Sequence, residues 1–169
     1  ERILGGLDWN VAGRFHDALK LGFENTSNKL HLILAYNQND EKTKGGNYYL
    51  PGGQPYKTMP ALWYQYADKV HPFSISALLL NLGQEGGDLE TLKAKTRYMQ
   101  TLGTNINYAQ GSWNFVGTVY YQTGKNTTGT DIAAWMGSIK AAYKIDPQWG
   151  VSIGTDYLSG QKEGDNKVK

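Results

Sequence analysis

Three histidines are the side chains best suited to acid–base or metal chemistry in this sequence, and their placement suits neither. His16 stands beside Asp17, but neighbours in an extended chain point to opposite faces and form no dyad. His31 and His71 fall in separate segments without metal-ligand spacing, and the absence of cysteine removes thiolate sites. The glycine-rich stretches Asn47–Gly53 and Gly83–Asp88 lead into no helix opening with Lys-Ser/Thr, so no phosphate cradle is expected. What remains is charge. Arg14, Lys20, Lys29, Arg97, Lys140 and Lys144 share one phase of an alternating pattern, against only Glu24 and Asp156. A surface of that sign suits anions, unless carboxylates from elsewhere in the protein neutralise it. Trp63 and Tyr120 lie on the same phase, where they could stack on sugar rings or simply pack a constriction. No enzyme activity and no cofactor is expected from these residues.

The elements that must carry this charge are strands. Every second residue from Trp113 gives Trp113, Phe115, Gly117, Val119 and Tyr121, alternating with a mostly polar set. The pattern returns at Trp135, Gly137, Ile139, Ala141, Tyr143 and at Trp149, Val151, Ile153, Thr155, Tyr157. A period of two marks strands with one apolar face. Each of these faces begins and ends with an aromatic, eight residues apart, as do Phe15 and Phe23. Eight residues span roughly 26 Å of strand, or about 19 Å across a membrane at a tilt of ~45°. An apolar band between two aromatic girdles is the signature of a transmembrane β-barrel, and a water-soluble sandwich has no need of it.

Composition agrees. The chain has 169 residues with 21 glycines and 12 tyrosines, and its formal charge of +2 gives no case for a nucleic-acid partner. No apolar run approaches the ~20 residues that a membrane-crossing helix needs. Residues 1–13 are expected to form a loop and 159–169 a truncated outer loop, with eight strands between about 14 and 158. Those strands are expected near Arg14–Asn25, Lys29–Asn39, Thr58–Ala67, Phe73–Gly83, Thr96–Ala109, and then the three with aromatic ends. Asp17 falls on the apolar phase and fits only above the lipid boundary. Ile75 and Leu78 share a face only if the fourth strand is bulged, so its orientation stays open. Short connections alternate with long ones, Gly83–Lys95 among the latter, which is the connectivity of an up-and-down outer-membrane barrel. The Glu1-Arg2-Ile3-Leu4 opening and the polar end after Ser159 suggest an internal piece whose export signal lies outside it.

Arg2-Ile3-Leu4-Gly5, then Asp8-Trp9, then Gly13-Arg14-Phe15-His16-Asp17-Ala18 resemble the alginate-export family of outer-membrane barrels. Asn28-Lys29-Leu30 and Ala35-Tyr36-Asn37-Gln38-Asn39 resemble its Bacteroidetes-type branch. The resemblance implies an all-β, antiparallel segment of a larger barrel, eighteen-stranded in the best-known member, passing an acidic polysaccharide through a bacterial outer membrane. Its partners would be the lipid bilayer and an anionic sugar or small anionic solute. One departure matters: the family's arginine-lined pore would here be lined mainly by lysines, which cannot make the bidentate carboxylate contacts of a guanidinium. Two rival expectations are a closed eight-stranded barrel serving as anchor or adhesin, and a barrel-embedded hydrolase with His16 and His31 at its rim.

Overall fold

A computed structural model describes residues 17–37, 56–88, 93–160 and 167–168. These residues contain strands and no helix. The strands are β1 (Ala18–Glu24), β2 (Asn28–Tyr36), β3 (Thr58–Ala67), β4 (Phe73–Asp88), β5 (Lys93–Gln110), β6 (Trp113–Lys125), β7 (Asp131–Lys144), β8 (Gly150–Leu158) and β9 (Lys167–Val168). The first eight lie side by side in chain order, each antiparallel to the next. The two-residue β9 pairs in parallel with Asp131 and Ile132 at the start of β7.

The short connections are written in the sequence by a shared device. Asn25 Oδ1 accepts hydrogen bonds from the amides of Ser27 and Asn28 at 3.0 and 2.8 Å. Asp68 Oδ1 does the same for Val70 and His71, and Asp146 Oδ1 for Gln148 and Trp149. A short carboxylate or amide side chain thereby replaces the backbone partner that a tight reversal lacks. Between β5 and β6 the turn is only Gly111-Ser112, and there Gly111 takes φ +59°, a conformation that glycine adopts without strain.

The pairings carry one register from strand to strand with no bulge, which fixes the faces. Leu21, Leu32, Leu62, Leu79, Leu102, Tyr121 and Trp135 form one row of direct partners. Their face, the aromatic face, holds nearly all the exposed large hydrophobic residues, from Tyr108 at 36% to Ile153 at 77% exposure. Leu158 at the end of β8 is an exception, and Val70, Ile145 and Trp149 lie outside the strands. Among the described residues, every buried strand residue other than glycine lies on the opposite, lysine face: Ala35, Met59, Ala61, Leu80, Thr101, Thr118 and Ile132.

Several expectations change. Ile75 pairs with Tyr66 and Ile106 on the aromatic face, while Leu78 pairs with Trp63 and Gly103 on the lysine face. The fourth strand needs no bulge, because both of its faces are apolar. Within the expected loop Gly83–Lys95, the described residues 83–88 and 93–95 instead continue the ladder, with Glu85 opposite Thr96 and Asp88 opposite Lys93. The C-terminal tail is not wholly loop, since it contributes β9. The first strand is observed from Ala18 and the second ends at Tyr36; Arg14, Phe15 and His16 lie outside the described residues.

Candidate functional site

The lysine face is where the predicted site residues belong, and it is divided. Toward β2–β4 it is apolar: Ala35, Met59, Ala61 and Leu80 pack with Tyr56 and with Ile33, Leu78 and Leu82. Beside this lies a row of direct partners that is polar from edge to edge: Glu24, Lys29, Gln65, Ser76, Asn105, Thr118, Ser138 and Asp156. Within it Asn105 Nδ2 donates to Thr118 Oγ1 at 2.7 Å, and two rows away on the same face Gln122 Nε2 donates to Thr101 Oγ1 at 3.1 Å. Such a row can hydrate or hydrogen-bond a polar solute along its length. Only an unbroken register brings these eight residues together, so no local sequence signal could have found them as a set.

The predicted basic residues fall into different states. Lys20, Lys140 and Lys144 are exposed on the lysine face and make no ion pair among the described residues. Lys29 is paired with Glu24 at 3.2 Å, and His31 Nε2 also meets Glu24, at 2.7 Å. Arg97 donates from Nη1 to the carbonyl of Thr127 at 2.7 Å. Arg14 lies outside the described residues. Lys95 was missed. It is exposed, and it shares the phase of Arg97 because β5 begins two residues before it.

Trp63 and Tyr120 both lie on the lysine face, in one row with Gly22, His31, Leu78, Gly103, Met136 and Leu158. Trp63 is tilted against His31 with ring centroids 5.1 Å apart. The Tyr120 ring covers Gly103 so closely that a Cβ there would collide with it. Both aromatics thus pack on their neighbours, and each ring has at most one face left for a ligand. His16 is outside the described residues, and His31 is committed to Glu24 and Trp63.

The aromatic face completes the geometry. At one end of its band Trp113 packs on Tyr143 at 4.7 Å and on Phe115 at 5.6 Å; at the other Trp135 packs on Tyr157 at 4.6 Å. The polar pair Lys125 and Asp131 lies on the same phase beyond Tyr121 and Trp135. No family model, curated protein or solved structure matches the chain.

Proposed function

We propose that this sheet is a stretch of the wall of a transmembrane β-barrel channel in a bacterial outer membrane, its aromatic face on lipid and its lysine face on water. The solute is anionic, of the acidic-polysaccharide class that the resemblance to the alginate-export family implies. One observation carries the reading: eight consecutive strands leave the same face largely exposed and apolar, with aromatics closing both ends of the band on β5, β6 and β7, while the buried non-glycine residues of the described strands lie on the other face. In water an exposed apolar patch rarely exceeds a few hundred Å², whereas a face this extensive is the natural state against hydrocarbon. Passage is by diffusion and involves no covalent step. Lys20, Lys95, Lys140 and Lys144 set the sign of the potential, and the polar row offers hydrogen bonds along the way.

Among the described residues β1 pairs only with β2, and β8 only with β7. Open flanks of this kind support a wall continued by further strands over the closed eight-stranded anchor.

The test is electrical. In planar bilayers containing the full-length protein, Lys140→Glu with Lys144→Glu is expected to lower the anion-to-cation permeability ratio by about twofold or more. Ile139→Lys puts a charge on the lipid face, where it costs about 2–4 kcal/mol near the bilayer midplane, and is expected to lower the yield of inserted protein. Equal, mild effects of the two changes would overturn the assignment of inside and outside.

A further inference from the structure

The connection between β6 and β7 does not continue the sheet. A straight hairpin would keep it about two strand spacings, roughly 10 Å, from β4. Instead the Thr127 carbonyl oxygen comes so close to Gly86 that a Cβ there would collide with it, and Gly86 belongs to β4. Gly86 is buried and lies on the lysine face, opposite Lys95. The turn has therefore crossed β5 on that face.

Three features hold it there. Arg97 of β5, beneath the turn, donates from Nη1 to Thr127 O at 2.7 Å, and its guanidinium lies against Gly129, where a side chain would collide. Gly124 and Gly129 take φ +109° and +94°, so β6 bends at one and the turn closes at the other. The turn also satisfies itself: Asn126 Oδ1 accepts from Thr130 N at 2.9 Å and Thr128 Oγ1 at 2.7 Å, and Gly129 N donates to Asn126 O at 3.0 Å. It arrives over the face as a formed unit.

We infer that residues 126–130 form an eyelet that narrows the channel at its long-loop mouth, with Arg97 as the residue that positions it. The inference rests on the channel reading above and adds to it the place where solute size is judged. Arg97 immediately precedes Tyr98, the aromatic at that end of the β5 band, so the eyelet stands at the edge of the membrane. Its guanidinium supplies charge at the narrowing as well as a latch.

The full-length protein in planar bilayers tests it with three variants. Arg97→Ala removes the latch and Gly86→Val pushes the turn off β4 without changing charge. Each is expected to raise single-channel conductance by about 1.5-fold or more, since the narrowest section dominates the resistance. Only Arg97→Ala should also lower anion preference. The 169 residues contain no cysteine, so Thr127→Cys puts a single thiol in this stretch for a charged, membrane-impermeant reagent, with the wild type as the control for thiols elsewhere in the protein. Labelling is expected to cut the current by about half. A wild-type protein that carries no current overturns the channel reading. A conducting wild type whose conductance neither variant changes, and whose Thr127→Cys form is labelled with no loss of current, overturns the eyelet alone.

Discussion

Gly103 and Tyr120 show how a single position is fixed by its cross-strand neighbour. They are direct partners, and the tyrosine ring occupies the space above the glycine. Gly103→Val would force the ring away, and overpacking of this kind costs about 1–3 kcal/mol; denaturant unfolding in lipid should show a loss of that order. Glu24 makes a second residue-scale case. Its carboxylate meets Lys29 and His31 together, so part of the positive charge read from the sequence is cancelled locally. Glu24→Gln should free Lys29 and raise the anion-to-cation permeability ratio, opposite in direction to the Lys140/Lys144 reversal. An unchanged ratio would mean that this hairpin lies outside the path of the ions. The phase of each of Lys20, Lys29, Lys140 and Lys144 was legible from alternation alone. Its pairing was not, because Glu24 and Lys29 are brought together by a turn, and the contact of Arg97 with Thr127 joins residues of different hairpins.

At the scale of elements, alternation located all eight long strands because one face of each carries apolar residues through its middle. It failed at their ends. Beyond Gly83 and before Thr96 both faces are polar, so the periodic signal vanishes although the backbone ladder continues. It also failed within β4, where Leu78, Leu80 and Leu82 face one side while Ile75 and Leu79 face the other; two apolar faces erase a period of two. The turns were more transparent, because their chemistry is local. Asp68 lies outside the strands, and the amides of His71 and Val70 hold its carboxyl below its ordinary value of 3.8. A depressed carboxyl stabilises the fold fully above its unfolded pKa, and that contribution disappears as the pH falls through the lowered folded value. Asp68→Ala should therefore weaken the β3–β4 hairpin at neutral pH, while Asp68→Asn, which keeps the oxygen acceptor, should spare it. Amide hydrogen exchange at Val70 and His71 reads this directly. Wild-type protection should decline as the pH drops below 3.8, and that of the Asn variant should show no such step.

The whole molecule has a geometry that no single strand declares. The row that starts at Leu21, the middle of the β1 apolar face, ends at Trp135, the outermost aromatic of β7. The middle of the β7 face is Ile139, four residues further along. Direct partners thus climb relative to the apolar band, and a level band requires strands tilted across it, as in a barrel wall with shear. Tilt and band together set where each tryptophan must sit. Trp113 and Trp135 are on the aromatic face, Trp149 immediately precedes β8 in the same phase as Val151 and Ile153, and Trp63 is on the lysine face. Single-tryptophan variants of the protein in lipid vesicles should divide accordingly. Trp135 and Trp149 should be quenched by lipids brominated near the head of the acyl chain and little affected by iodide in the water. Trp63 should resist the brominated lipids and respond to iodide, which a lysine-bearing lumen would concentrate. If Trp63 were the residue quenched from the lipid, the two faces would have to be exchanged, and the lysines with them would lose their place along the path of the solute.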